Sequence, residues 1–351
     1  MTKTIPVLDK GFVRLVDAMG DDRRIVQAAR VSYGEGTKTV REDAALIDYL
    51  MRHRHTSPFE MVEFTFHVKA PIFVTRQWFR HRTASVNEIS ARYSVLKDEF
   101  YEPEPGELRA QSELNKQVGE GELPAEAAEK AARLLAESER EAYAHYQKLL
   151  ELGVAREQAR SVLPVGIYTE FYWKQDLHNL LHFLKLRLDH HAQAEIRAYA
   201  RAVAEFVKAR VPLVWRSFEE HVLYARTLSA SEIATLRRQI DPYAYEAALK
   251  KADLSNSRAR EALEKLGYVR TTCSECRGEG VVADRWGFWE AAATRGIGEE
   301  EYARLRELAS ELGIADDQYP DRDPSWLPPE EETCPVCDGQ GYRYLESAVG
   351  S

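Results

Sequence analysis

The four cysteines of this chain all lie near its end, in two boxes of the same form: Cys273-Ser-Glu-Cys276-Arg-Gly-Glu-Gly280 and Cys334-Pro-Val-Cys337-Asp-Gly-Gln-Gly341. Two Cys-x-x-Cys turns can aim four thiolates at one tetrahedral metal ion, and the glycines of each box permit the positive φ that such turns use. The sequence therefore predicts a small zinc-ribbon-like region with a structural metal ion held by Cys273, Cys276, Cys334 and Cys337. Zinc is the default for four thiolates, and iron is the alternative.

Disulfides and a redox pair are the other chemistries that fit paired cysteines. Disulfides are rare in the cytoplasm, where we expect this chain because its first residues lack the apolar segment of a signal sequence. A thioredoxin-type site needs one Cys-x-x-Cys pair, whereas this chain has two. The 57 residues between Cys276 and Cys334 exceed the roughly 15–20 of a usual zinc ribbon, but a longer loop adds little closure entropy.

The two boxes resemble the Cys-x-x-Cys-x-Gly-x-Gly element in the zinc region of Hsp40-type chaperones. No other part of the chain resembles those chaperones, so the resemblance implies the metal and not the chaperone activity. If all four thiolates hold zinc, none is left to act as a nucleophile. Chemistry in the first 270 residues must then proceed without cysteine.

Length and charge narrow the classes of function. At about 150 residues per domain, a chain of 351 residues suggests one large domain and a smaller one. The chain carries 48 Lys and Arg against 57 Asp and Glu, a net charge of −9. This charge argues against a nucleic-acid coat, because phosphate neutralisation needs a basic field. No apolar run approaches the roughly 18 residues of a membrane span.

Hydrophobic periodicity predicts an α+β fold in which a sheet is flanked by long helices. Residues 61–69 alternate strictly, with an apolar side chain at every second position from Val62 to Val68, which indicates a half-buried strand. Residues 167–173 predict a second strand. Helices are predicted over residues 41–54, 71–82, 124–152, 176–188 and 191–210. The pattern changes after about Arg226, which gives a first domain of residues 1–225 and a C-terminal extension of residues 226–351 with helical segments and the zinc module.

Residues 76–93 carry an excess of positive charge in a chain that is acidic overall. Four arginines and His81 stand there against the single carboxylate of Glu88. Arginine presents a planar fork of donors suited to phosphate, and arginines converging on one spot repel each other unless an anion lies between them. The segment therefore predicts a loop that wraps a nucleotide, with a solvated basic turn as the alternative.

Within this segment, Arg80-His81-Arg82-x-x-Ser85-x-Asn87-Glu88-x-Ser90-x-Arg92-Tyr93 resembles, position for position, the signature of the flavin-dependent thymidylate synthases. Shorter matches are Ala29-Arg30-Val31-Ser32-Tyr33, His55-x-x-Pro58-Phe59-Glu60, Arg160-x-x-Leu163-Pro164 and Leu186-Arg187-x-Asp189-x-His191-Ala192-Gln193. The resemblance covers roughly residues 11–222 and leaves out the cysteine-bearing tail.

The resemblance implies a reaction and an assembly. Members of the family methylate dUMP at C5 to give dTMP, with 5,10-methylenetetrahydrofolate as one-carbon donor, bound FAD and NADPH as reductant. They use no cysteine nucleophile, which agrees with the cysteine placement of this chain. The resemblance also implies a cytoplasmic homotetramer with active sites shared between chains. Residues 1–225 would be the catalytic domain, and no membrane or nucleic-acid partner is expected for it.

The resemblance further implies roles for individual residues. Arg187 would stabilise negative charge on the uracil ring, a role that a permanent cation can fill. The nucleotide-binding residues would be Gln77, Arg80, Glu88, Ser90, Arg92, Arg160 and Arg187, with Arg92 and Arg160 at the phosphate. The flavin contacts would be Ser57, Arg80, His81, Arg82, Glu88, Asp176, His178 and His182. His55 and Ser90 would lie close to the chemistry.

The helix before Arg187 departs from the family pattern. Some members have Asn-x-Arg where this chain has Asp176-Leu177-His178. His178 and His182 share a helix face, so a metal pair stays open beside flavin contact or ordinary packing.

Two alternatives to this interpretation of the chain are also open. A protein that had lost its activity could use the arginines to sense dUMP without retaining flavin. The zinc module could bind a partner or nucleic acid, although the stretch 299–332 is acidic and unlike a nucleic-acid surface.

Overall fold

The computed structural model of the protein describes residues 3–31, 43–112, 119–252, 254–272, 281–283, 331–333, 340 and 342–346. Contacts divide the chain into two compact units, Met1–Arg226 and Thr227–Ser351. The four cysteines predicted to hold zinc lie outside the described residues.

The first unit is built on an antiparallel sheet of five strands in the order β1-β2-β3-β7-β4. The strands are β1 (Thr4–Val7), β2 (Gly11–Met19), β3 (Glu63–Pro71), β4 (Ser85–Glu88), β5 (Arg109–Gln111), β6 (Gly119–Glu122) and β7 (Tyr168–Asp176), of which β5 and β6 form a separate ribbon. The helices are α1 (Asp22–Arg30), α2 (Asp43–Arg52), α3 (Ile72–Trp78), α4 (Ala125–Glu151), α5 (Arg156–Ala159), α6 (Leu177–Arg187), α7 (Ala194–Arg210) and α8 (Pro212–Phe218). This mixture of helix and sheet confirms the predicted α+β class.

One face of the sheet forms the main core with α6 and α7. The alternating apolar side chains from Val62 to Val68 are all fully buried, so the strand predicted from their period is confirmed. Phe183 of α6 meets Trp173 of β7 with 5.0 Å between ring centroids, and Phe206 of α7 meets Phe66 at 5.9 Å. Each such buried side chain contributes about 1.5–3 kcal/mol, and this core fixes β7 and α6 relative to each other.

The predicted helices α2, α4 and α6 are confirmed, whereas other element ends need correction. The helix predicted over residues 71–82 ends at Trp78, because the chain then turns to pair β4 with β7. The helix predicted from residue 191 begins at Ala194, since a turn held by Asp189 comes first. Its predicted end at Arg210 is confirmed, and Pro212 is the first residue of α8, where its missing N–H costs nothing. The second predicted strand runs on to Asp176.

The second unit contains three described helices and two ribbons. Its helices are α9 (Ala230–Arg237), α10 (Pro242–Lys251) and α11 (Asn256–Lys265). Strand β8 (Tyr268–Thr272) pairs with β11 (Tyr342–Glu346), and β9 (Val281–Ala283) pairs with β10 (Glu331–Thr333), both antiparallel. The hydroxyl of Tyr268 lies 2.7 Å from the carbonyl oxygens of Arg237 and Ile240, which ties β8 to the end of α9. Among the described residues of the chain, no helix has both the length and the apolar composition that a membrane span requires.

Candidate active site

The helix α6 carries the predicted catalytic arginine, and its first turn is fixed by Asp176. One carboxylate oxygen of Asp176 accepts from the Asn179 backbone N–H at 2.9 Å and the other accepts from the Asn179 side chain at 2.7 Å. This N-cap satisfies an amide that the helix leaves unpaired. Because β7 ends where α6 begins, the sheet and the cap together set the direction of the helix that ends at Arg187. A flavin contact of Asp176 stays a prediction.

Arg187 is held by two acceptors, and neither of them carries a charge. Its Nε donates to Nε2 of His81 at 3.1 Å, and its Nη2 donates to the backbone carbonyl oxygen of Gln77 at 3.1 Å. Partial burial lowers the pKa of the guanidinium. Within the described part of the chain no carboxylate forms an ion pair with Arg187, so its positive charge is available to a ligand.

His81 is a buried imidazole directly beside this arginine. Burial, the charge of Arg187 and then that of His182 lower the pKa of His81 to about 4. Its ring packs edge-on against Phe183, with 5.0 Å between centroids, and lies 5.9 Å from the ring of His182. The imidazole is therefore neutral near pH 7, and three predicted site residues, His81, His182 and Arg187, lie together.

A second group of predicted residues meets around Glu157. Nε of Arg92 lies 3.2 Å from the Glu157 carboxylate, and Nε of Arg160 donates to the Glu157 backbone oxygen at 3.4 Å. The hydroxyl of Ser90 accepts from the backbone N–H of Arg92 at 3.3 Å. Both partners of the Arg92 ion pair are more than half exposed, so solvent screens the pair and a competing anion can displace it.

The predicted nucleotide loop is partly a strand. Residues Ser85–Glu88 form β4, the edge strand that pairs with β7, and all four are exposed. Because polar side chains on an edge strand lack the alternation of a half-buried one, the sequence pattern gave no strand signal. The carboxylate of Glu88 accepts from the Thr169 hydroxyl at 2.8 Å. Arg80 and Arg82 are exposed and form no hydrogen bond or ion pair with any residue that the structure describes.

A cavity of about 290 Å³ opens between α2, α6 and α8. Three imidazoles line it, from His55, His178 and His182, together with the cations Arg54 and Lys185. Its apolar wall is formed by Leu50, Met51, Phe59, Leu181, Phe218 and Val222. Apolar walls with a few convergent polar groups are typical of a site for a planar organic ligand.

The metal pair that the sequence leaves open for His178 and His182 gains no support from the described residues. There, the group of three side chains whose ligand atoms converge as for a metal ion is Asp189, His190 and His191, and it is exposed. Nδ1 and the backbone N–H of His191 both lie 2.8 Å from one oxygen of Asp189, which makes this group a turn before α7. His178 and His182 do not belong to such a group.

Ser57 is exposed and lies next in sequence to Thr56, which lines the cavity.

Sequence reasoning gave no role to two residues that contact the predicted site. The side-chain amide of Gln77 donates to the side-chain oxygen of Gln193, which stands in one of the short sequence matches. Glu157 pairs with Arg92, and no motif marks it.

The fold and the site define an α+β protein in which one helix carries a partly buried arginine, paired with no described carboxylate, and lines a cavity, while two exposed arginines meet at Glu157. Such a site suits an anionic ligand with a planar ring. A family model described as "Thymidylate synthase complementing protein" matches residues 14–213. A flavin-dependent thymidylate synthase from Thermus thermophilus is 70% identical over 263 residues, which are 75% of this chain and 96% of that protein.

A second relative and a solved structure are also similar to this chain. The flavin-dependent thymidylate synthase of Treponema denticola is 58% identical over 241 residues, 68% of this chain and 91% of that protein. The solved structure of the UMP/dUMP methylase PolB from Streptomyces cacaoi, bound with 5-Br dUMP, is 34% identical with a TM-score of 0.58, and the match covers 63% of this chain and 100% of that one. This chain belongs to the flavin-dependent thymidylate synthase family.

Proposed function

We propose that this chain methylates dUMP at C5 to give dTMP in the cytoplasm, with 5,10-methylenetetrahydrofolate as the one-carbon donor and NADPH as the reductant. The observation that carries the proposal is the guanidinium of Arg187, which neutral acceptors hold and no described carboxylate neutralises. A cation held in this way stabilises negative charge that develops on the uracil ring when C5 becomes nucleophilic. No cysteine nucleophile is needed for this activation.

The phosphate of dUMP binds at Arg92 and Arg160, where it displaces the exposed carboxylate of Glu157. An arginine fork with a phosphate dianion makes a stronger contact than a screened surface ion pair. The other nucleotide contacts are Gln77, Arg80, Glu88 and Ser90, with Arg187 at the ring. Ser90 has no described base beside it and therefore acts by binding.

The residues around the cavity fit a flavin. Its apolar walls suit a planar ring system, and its imidazoles and cations suit the polar edge or phosphates of the dinucleotide. The residues that would hold FAD are Ser57, Arg80, Arg82, Glu88, Asp176, His178 and His182. FAD held there would supply the redox chemistry of the reaction. The protein orients the nucleotide against it and keeps Arg187 charged.

A homotetramer with shared active sites accounts for apolar residues that the single chain exposes beside the signature. Val86 is 43% exposed, Ile89 47% and Tyr93 77%. Neighbouring apolar side chains left open next to a binding segment favour coverage by another chain. Light scattering of the purified protein tests this assembly, and a monomer at assay concentration would contradict it.

A zinc ion in the tail is supported by the register of its two ribbons. Thr272, the residue before the first cysteine box, pairs with Tyr342, the residue after the second. Val281, the residue after the first box, pairs with Thr333, the residue before the second. The residues on either side of one cysteine box therefore pair with the residues on either side of the other. This pairing brings the two boxes close together and favours a shared four-thiolate site.

Metal analysis of the full-length protein tests the zinc proposal. We expect one zinc per chain, and substitution of Cys273 and Cys334 by serine should remove it, because thiolates are the ligands. Protein purified without zinc, or with zinc unaffected by these substitutions, would contradict the proposal.

Substitution of Arg187 tests the activity. Arg187→Ala should lower kcat for dTMP formation by on the order of 10²–10³-fold while leaving the fold and flavin binding unchanged. Arg133→Ala, which removes an exposed arginine of α4, is the matched control and should keep wild-type activity. A variant Arg187→Ala with wild-type kcat would exclude the assigned role. Binding of dUMP by a wild-type protein without flavin or product would favour the nucleotide sensor.

A further inference from the structure

Neither of the two hydrogen-bond acceptors of Arg187 carries a charge. A backbone carbonyl and a neutral imidazole take hydrogen bonds from the guanidinium at 3.1 Å each. A guanidinium has donors only, so Nε2 of His81 must be the acceptor and the ring proton must sit on Nδ1. The arginine is thereby fixed at two nitrogens without meeting an opposite charge.

A carboxylate at the same place would behave differently. It would bind Arg187 as an ion pair, and the net charge of the pair would be close to zero toward a third group. Orientation and charge are therefore separate requirements, and an uncharged acceptor meets both.

We propose that His81 is the positioning residue of Arg187, and that its neutral imidazole holds the guanidinium toward the uracil ring without cancelling its positive charge. The inference rests on the proposed function. It assigns His81 a task distinct from the flavin contact that the family resemblance implies. The ring is itself fixed, because it packs on Phe183 and is 8% exposed.

Burial and two basic neighbours keep the imidazole of His81 neutral. The titratable groups that face it are Arg187 and His182, both on α6, and among the described residues no carboxylate hydrogen-bonds to it. Burial and these basic neighbours hold its pKa at about 4. The acceptor on Nε2 is therefore present across the neutral pH range.

Three substitutions separate positioning from neutralisation. His81→Gln keeps an uncharged acceptor and should keep kcat within about 5-fold of wild type. His81→Ala removes the acceptor and should lower kcat by roughly 10–100-fold, as displaced catalytic groups do, with little change in the KM for dUMP. His81→Glu restores an acceptor but adds a negative charge, and should lower kcat at least as far as His81→Ala. Flavin absorbance of each purified variant should match that of wild type.

Two outcomes of this series would overturn the inference. A His81→Glu variant as active as His81→Gln would show that neutrality of the acceptor is irrelevant. Loss of flavin from all three variants would show that His81 acts as a cofactor contact instead.

A measurement without turnover keeps the inference separate from the proposed function. In ¹⁵N NMR of the full wild-type protein, with the signal assigned by His81→Gln, His81 should be the neutral Nδ1–H tautomer from pH 6 to 8. An Nε2–H tautomer or an imidazolium at pH 6 would overturn the inference even in an active enzyme. Absence of dTMP formation by the wild type would refute the proposed function, and the tautomer would still decide whether His81 accepts from Arg187.

Discussion

The buried carboxyl group of Glu139 should make this protein less stable as the pH rises. Carboxylates in ion pairs usually have the opposite effect. It lies in the middle of α4 and is 7% exposed, and its Oε2 has no hydrogen-bond partner among the described residues. Its Oε1 occupies the space that a Cβ atom would need at position 166, where the chain has a glycine. Burial raises the pKa of this carboxyl to about 7, and the charges of Glu102 and Asp9 add to that effect while Lys10 opposes it.

The size of the effect follows from the two pKa values. The ordinary value is 4.5 and the folded value about 7, and each pKa unit corresponds to about 1.4 kcal/mol. Between these values the folded chain holds a proton that the unfolded chain has released, so stability falls as the pH rises. The loss is complete above pH 7 and amounts to about 3 kcal/mol.

The substitution Glu139→Gln should remove this loss, because the amide has nearly the same shape and no charge. Urea unfolding of wild type and variant at pH 5 and pH 8 measures it. The stability advantage of the variant should grow by roughly 2–3 kcal/mol between the two pH values. Glu141→Gln, which replaces an exposed carboxylate of the same helix, should show no such growth. An advantage that is equal at both pH values, or larger at pH 5, would refute the reasoning.

Three further substitutions give expected outcomes of known direction. Asp176→Ala removes the N-cap of α6 and should cost about 1 kcal/mol, read as a lower thermal midpoint; an unchanged midpoint would contradict the cap. Gly11→Ala places a Cβ against the Tyr199 hydroxyl and should destabilise by roughly 1–3 kcal/mol in urea unfolding; wild-type stability would argue against that contact. Glu157→Gln frees Arg92 and should tighten dUMP binding by about 1.5–5-fold in calorimetry; weaker binding would show that Glu157 helps to hold the nucleotide.

The sequence predicted those elements whose signal is local. The period-two pattern around β3 and the start of the helix predicted over residues 176–188 depend on neighbours within a few positions, and both are confirmed. Strand β2 escaped prediction because a register shift between Leu15 and Asp17 interrupts its alternation. Strand β4 escaped because all four of its residues are exposed and three of them are polar, and pairing with β7 makes it a strand.

The candidate site likewise combines features that the sequence predicted with contacts that it did not. The signature identified the family and its residue types, because the spacing of Arg80, Glu88 and Arg92 is a local property of the sequence. The contact between His81 and Arg187 joins residues 106 positions apart, and only the packing of α6 beside the end of α3 creates it. The pairing of Glu157 with Arg92 likewise depends on tertiary structure, so no spacing rule could have found it.

The most direct test of the central claim is dTMP formation by the purified full-length protein given dUMP, 5,10-methylenetetrahydrofolate, NADPH and FAD. Each component is omitted in turn. The account predicts product in the complete mixture and none when dUMP, the folate or the reductant is left out, or when FAD is left out and the protein has been stripped of its bound flavin. Product without flavin, or no product from a folded and flavin-loaded protein, would contradict it.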